Sequence, residues 1–482
     1  MLEFRDATEL SAAIRGRSVS CVEVMNAHLD LIERINPHVN AVVSLRPRDE
    51  LLAEAAEKDR RLDAGQYDGW MHGLPHAVKD LADVAGMKTS AGFFRPPFDV
   101  EPAAADSAFV ARLRAAGAIF IGKTNTPEFG LGSHTYNNVF GTTRNAYDRT
   151  KCAGGSSGGA AVAVALRMLP VADGSDFMGS LRNPPGWNNV FGLRPSFGRI
   201  AGEPGEAFLP PAGVAGPVAR TARDLGSVLR TMAGDAAGDD ARLVAPEADR
   251  VRGRRVAWLG DLGGYLPMEP EVLRVTRTAL DTFAALDMSV TDLPTLPSFG
   301  SFAGVEDLWP TWLTLRHWLV GGAAKPLYDI PQLRDAIKPE LRYEIEGLLN
   351  GADGNGALTA LDVFTATVRR ADLHQAFVRL FAEYDYVVLP TAQVMPFDAD
   401  LHWPDQISGI PMSSYHRWME VTTIATLVGA PTLAAPAGFS SSGLPIGIQV
   451  LAREHAEQEL LDLAAGWEGA AGWLSRRPPL LN

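Results

Sequence analysis

Cysteine is almost missing: only Cys21 and Cys152 occur in 482 residues. Two thiols are too few for a disulfide framework or a cysteine-built zinc site. Positive charge is in deficit as well, with 44 Lys and Arg against 57 Asp and Glu and a net charge of −13. A surface of that sign repels nucleic acid and anionic membranes at long range, so neither is expected as a partner. No apolar run reaches the roughly 18–20 residues that span a bilayer. The opening stretch MLEFRDATELSAAIRGRS is polar and mixed in charge, unlike a secretory leader. His and carboxylates are plentiful but show no H-E-x-x-H or comparable ligand spacing, so no metal or other cofactor is expected. No Pro/Ser linker, charge block or internal repeat divides the chain. The expectation is a cytoplasmic protein built as one large domain.

What is present is ordinary globular material, 46% hydrophobic and 21% charged, enough to bury a large core. SCVEVMNAHLDLIERINPHVNAV spaces Val22, Val24, Met25, Leu29, Leu31 and Ile32 for a helix that stops near Asn36–Pro37. PRDELLAEAAEKDRRLDAG predicts a second helix ending at Gly65. Residues 73–84 and 117–125 then read as strands with a helix over 107–117 between them. RRVAWLGD and YDYVVLPT read as buried strands, and PEVLRVTRTALDTFAAL as a helix. Strands alternating with helices indicate an α/β architecture. Residues 298–382, rich in helix formers and aromatics, break that rhythm.

Glycine and serine concentrate in KCAGGSSGGAAVAVALRMLPVADGSDFMGSLRNPPG, residues 151–186. A flexible turn before an Ala-rich helix would account for GGSSGG alone. A phosphate loop would need a following Gly-Lys-Ser/Thr or G-x-G-x-x-G, and neither is there. Gly154 to Gly158 also fits the G-x-S-x-G nucleophile elbow, but NAYDRTKCA before it is no apolar strand. The elbow would further need an acid and a histidine downstream, and nothing singles out His374 or His416. A fourth reading joins both serine clusters to a lysine: one hydroxyl attacks, a second relays its proton, and a buried amine accepts it.

GLPHAVKD, GAIFIGKTNTPEFG, AGGSSGGAAVAVA and GSDFMGSLRNP, in this order and spacing, resemble the amidase signature family. LVGAPTLAAPAGFSSSGLPIGIQVLAR is similar to that family's closing strand region. The resemblance covers most of the chain and is weakest across 298–382. It implies an amidase signature fold, a large central mixed β-sheet flanked by helices on both faces, with a mainly helical insertion. Residues 1–65 would form a helical segment packed on the core, 66–297 the signature core, 298–382 the insertion shaping the substrate pocket, and 383–482 the rest of the same α/β core. The family's general base matches Lys79, its bridging serine on a cis peptide matches Ser156, and its nucleophile matches Ser180. The two serines lie 24 residues apart, as in the family. Backbone N–H groups of Phe177, Met178, Gly179 and Ser180 match its oxyanion hole, with Gly154, Gly155, Ser157, Asp176 and Arg182 in support. Met178 departs from the usual glycine, which brings strain if that position needs positive φ, or else a reshaped pocket.

Elementary chemistry supports the lysine independently. An ordinary lysine, with a pKa near 10.4, is protonated at neutral pH and accepts nothing. Full burial lowers that value by as much as ~3–5 units. In a strand, Ala77, Lys79 and Leu81 share one face, so Lys79 can be aimed at the interior. Lys123 in IGKTN is a rival in a similar setting. A surface ion pair is the plain alternative for Asp176 and Arg182. Phe129, Trp309, Trp312, His317 and Trp318 are candidates for an aromatic-lined pocket, while insertion core is the commoner fate of such a cluster. The activity implied is hydrolysis of a small-molecule carboxamide, or of a hydrazide, anilide or ester, through an acyl-serine. A glutamine-hydrolysing A subunit of a tRNA-dependent amidotransferase and a non-catalytic binding member are the alternatives. A homodimer is compatible with either.

Overall fold

The first two helices start where their caps dictate. Asp6 and Ser20 each accept the N–H three residues on, from Glu9 and Glu23, whose carboxylates reach back to the cap N–H. These boxes open the helices Ala7–Arg15 and Cys21–Val39, and the second buries Val24, Met25, Leu29, Leu31, Ile32 and Ile35. It does not stop at Asn36–Pro37. Pro37 lies inside the last turn, where it gives up one helical hydrogen bond, and the chain leaves through Asn40 in the left-handed region at φ 52°. The computed structural model describes residues 6–202, 212–234, 243–351, 354 and 356–481.

The described strands run in chain order: β1 (Val42–Val43), β2 (Pro75–Lys79), β3 (Ile119–Thr124), β4 (Ala172–Asp176), β5 (Phe191–Arg194), β6 (Val214–Ala219), β7 (Arg255–Trp258), β8 (Ser289–Asp292), β9 (Tyr386–Pro390), β10 (Gln406–Ile407), β11 (Ile410–Pro411), β12 (Thr432–Phe439) and β13 (Pro445–Ala452). A small sheet has the order β1-β3-β2, and a large one the order β4-β6-β5-β12-β13-β9-β7-β8. The large sheet is mixed: β7 pairs in parallel with β8 and β9, and its other pairings are antiparallel. Its two faces feed different cores. Along β9, Tyr386 and Val388 join one apolar cluster while Val387 and Leu389 join the other. Burial of both faces explains why YDYVVLPT is continuously apolar rather than alternating.

The β2 strand is shorter than 73–84. It ends at Lys79 because the N–H groups of Leu81 and Ala82 turn back onto the Lys79 carbonyl at 2.7 and 3.0 Å. Leu81 is therefore not on the strand face, and Lys79 is buried because the whole strand is covered. Residues 305–383 carry the helices Leu308–Arg316, Gly322–Tyr328, Pro331–Ala336, Pro339–Asn350 and Ala360–Glu383. No helix among the described residues is long and apolar enough to cross a membrane.

Candidate active site

Lys79 closes β2 and sends its side chain inward, 1% exposed. Its Nζ lies 2.8 Å from Ser156 Oγ, 2.9 Å from Ser157 Oγ and 2.9 Å from Ser175 Oγ, with the Ser175 carbonyl at 3.3 Å. No carboxylate among the described residues touches the amine. Burial therefore dominates and pushes its pKa down to about 7, with Asp173 and then Asp176 opposing from further off.

Ser156 and Ser157 stand at the entrance to the fully buried helix Gly158–Ala165. Gly154 takes φ 77°, a conformation that costs glycine nothing and a side-chain residue energy, and the Gly155–Ser156 peptide is cis. Ser180 lies on the turn that leaves β4. Its Oγ is 2.9 Å from Ser156 Oγ, so one line of contacts runs from amine to hydroxyl to hydroxyl.

The turn is braced from below. Asp176 accepts the N–H groups of Gly179 and Leu181 at 2.9 and 3.0 Å and is gripped by Arg182 through Nε and a terminal nitrogen, both at 2.9 Å. Arg194 adds a contact at 3.4 Å, and Arg182 also donates to the Thr422 carbonyl and Gln449 Oε1. This is no surface ion pair: both partners are fully buried. Burial alone would raise the Asp176 pKa, but the Arg182 guanidinium, ahead of Arg194, holds it well below the carboxylate range.

One expected oxyanion donor is otherwise engaged, because the Gly179 N–H points at Asp176. The N–H groups of Phe177, Met178 and Ser180 have no acceptor among the described residues. Gly179, at φ 93°, takes the left-handed position, and Met178 does not. The Met178 side chain is buried in the apolar core and its carbonyl accepts from Thr422, so the methionine is accommodated without strain.

Lys123 is buried too, but its Nζ donates to the Ala82 carbonyl and Thr89 and meets none of the serines. The aromatic candidates divide. Trp312 packs edge-on against Phe177 at 5.7 Å between ring centres. Phe129 packs against Phe93 at 5.0 Å between tilted rings and precedes Gly130, where an added Cβ would lie 3.5 Å from Ser156 Oγ. Trp309 instead packs on His416 and His317 pairs with Glu344, both in the interior, and half-buried Trp318 has no ring partner among the described residues. Sequence reasoning missed Ser175, which shares the Lys79 amine, and Asp173, which accepts the Lys79 N–H at 3.1 Å. Their spacing of two on β4 was the available signal, since it sets both on one face. No group of three His, Cys, Asp or Glu among the described residues is arranged to hold a metal.

This fold agrees with what the chain is similar to. The Amidase family profile matches residues 23–461. An acylamidase of Rhodococcus erythropolis is 32% identical over 99% of this chain and 98% of its own length. The A subunit of the glutamyl-tRNA(Gln) amidotransferase of Thermosynechococcus vestitus is 31% identical over 98% of this chain and 99% of its own. Among solved structures, a bacterial aryl acylamidase of the amidase signature enzymes superposes with a TM-score of 0.85 at 27% identity, covering 98% of this chain and 97% of that one. The chain belongs to the Amidase family, the amidase signature enzymes. It is a hydrolase that acts on amide C–N bonds.

Proposed function

We propose that the chain hydrolyses carboxamides through an acyl-enzyme on Ser180, with Ser156 relaying the proton and Lys79 as base. The observation that carries this reading is the line of contacts at 2.8 and 2.9 Å from Lys79 Nζ through Ser156 Oγ to Ser180 Oγ. A neutral amine has one lone pair for the Ser156 hydroxyl and two N–H groups for Ser157 and Ser175. Its pKa of about 7, a result of burial, makes that neutral form available at physiological pH. Ser180 passes its proton to Ser156 as Ser156 passes its own to Lys79, and Ser180 Oγ attacks the amide carbon. The resulting oxyanion lies toward the free N–H groups of Phe177, Met178 and Ser180, each such donor being worth about 10²–10³ in rate. As the C–N bond breaks, the proton returns from Lys79 through Ser156 to the leaving nitrogen. Water then attacks the ester by the same route, releasing the acid and restoring Ser180.

The substrate in this reading is a bulky acyl or aryl amide lying against Phe129, Phe177 and Trp312, and the helical stretch 298–382 shapes that pocket. The names of the relatives support it, one an acylamidase and one an aryl acylamidase. The second reading, a glutamine-hydrolysing component of an amidotransferase, is favoured by the 31% match to proteins of that kind. The isolated chain should turn over an anilide and bind a fluorophosphonate probe, and Ser180→Ala and Lys79→Ala should lose the probe signal. Full labelling of Ser180→Ala ends the acyl-serine proposal, and glutamine hydrolysis without anilide hydrolysis favours the second reading.

A further inference from the structure

Beneath the Lys79–Ser156–Ser180 line lies a buried pair that the proposed chemistry leaves unused. His76 Nε2 is 2.9 Å from Asp173 Oδ1, and the other oxygen of Asp173 accepts the Lys79 main-chain N–H. His76 is 0% exposed and Asp173 1%. In a regular strand, residues three apart face opposite sides. A register shift between His76 and Ala77 rephases β2, so that His76 and Lys79 both reach β4.

The ring nitrogens fix the charge of this pair. His76 Nδ1 is buried with no hydrogen-bond partner among the described residues. An imidazolium carries an N–H at both nitrogens and needs two acceptors, but only Nε2 has one. The ring is therefore neutral, its hydrogen on Nε2 donating to Asp173, and the pair keeps the single negative charge of the carboxylate.

The other charges around Lys79 have contacts of their own. On β4, Asp176 is paired with Arg182 and Arg194. On β3, Lys123 donates to the Ala82 carbonyl and Thr89, and Asp80, next in the chain, holds Ser90. The helix Gly158–Ala165 has no ionisable side chain, and His28 of the helix Cys21–Val39 turns its Nδ1 to the Met168 carbonyl. Among the described residues, Asp173 is the carboxylate acting on Lys79 that is in no ion pair with an arginine or lysine, Lys123 acting on it only from a distance.

We propose that the His76–Asp173 pair is a positioning device for Lys79. Its carboxylate anchors the main chain of the base, and its charge, which no direct ion pair cancels, keeps the amine more basic than burial alone would leave it. This rests on Lys79 being the base. Such support matters because a base too weak for the operating pH transfers the proton poorly even when it is always neutral.

The test compares wild type, Asp173→Asn, His76→Gln and Lys79→Ala on an anilide between about pH 5 and pH 9. Asp173→Asn is expected to move the acid limb of kcat/KM down by at least about half a pH unit, with a several-fold lower plateau. His76→Gln keeps a neutral donor and is expected to leave the midpoint within about 0.2 pH unit of wild type. An unmoved limb in Asp173→Asn overturns the inference, as does a raised one in His76→Gln, which would mean that a positive charge had been lost. Should Asp173→Asn not fold, His76→Gln carries the test alone: a fixed midpoint upholds the neutral pair and a raised one overturns it. Turnover surviving in Lys79→Ala sinks the proposed base itself. Turnover lost there, with the Asp173→Asn limb unmoved, sinks only this inference.

Discussion

Lys79 makes the protein's proposed chemistry a matter of pH. A base whose pKa sits near 7 is protonated below that value, so kcat/KM should fall about tenfold per unit below pH 7 and level off above it. A flat profile between about pH 5 and pH 9 would count against Lys79 as base. The same group marks folding stability. Unfolded, the amine titrates near 10.5, and folded near 7, so between these values the unfolded chain holds the extra proton. Stability from this residue therefore rises with pH across that window and stays at its lower level below it. Urea midpoints should rise between pH 7.5 and 9.5 more steeply for wild type than for Lys79→Met, which has nothing there to titrate. Lys79, Ser156 and Ser180 were legible as candidates because each sits in a stretch that resembles a family motif, the two serines also within glycine-serine clusters. Ser175, Asp173 and His76 were not, because their meaning arises only when β2 is laid beside β4.

The turn after β4 is the element on which the site depends. Asp176, Arg182 and Arg194 form a buried cluster in which each charge needs the others. Arg182→Met leaves Asp176 short of its main partner and should cost about 3–5 kcal/mol in chemical denaturation. A loss under about 1 kcal/mol would mean that the cluster is not the brace described. Gly179→Ala puts a Cβ at φ 93° and 2.8 Å from Thr422 Cγ2, so both turn and activity should suffer. The expected stability loss is of order 1–3 kcal/mol, read from the same titration. The sequence shows this turn's composition but not its wiring: the Gly179 N–H is drawn to Asp176 by a contact that no spacing rule reveals. The apolar β9 matches its sequence reading closely, whereas the helix Cys21–Val39 runs past its expected stop at Asn36–Pro37. β2 falls short because a backbone turn, not a change in hydrophobicity, ends it.

Across the whole molecule, two sheets contribute the two ends of one proposed proton path, and the helical stretch beyond residue 305 brings Trp312 to the proposed pocket. Trp312→Ala should raise KM for a bulky anilide about tenfold and leave an acetamide-sized amide nearly unchanged. Equal effects on both would remove Trp312 from the pocket. Both cysteines are free and buried, so reductant should not move the melting temperature. Lys79, the proposed base, rides on the three-stranded sheet, and Ser180, the proposed nucleophile, on a turn of the eight-stranded one. Hydrolysis thus acts as a gauge of how tightly the seam between β2 and β4 is closed. Mild urea that slackens this seam by an ångström should silence the enzyme while circular dichroism still reports its full helix content.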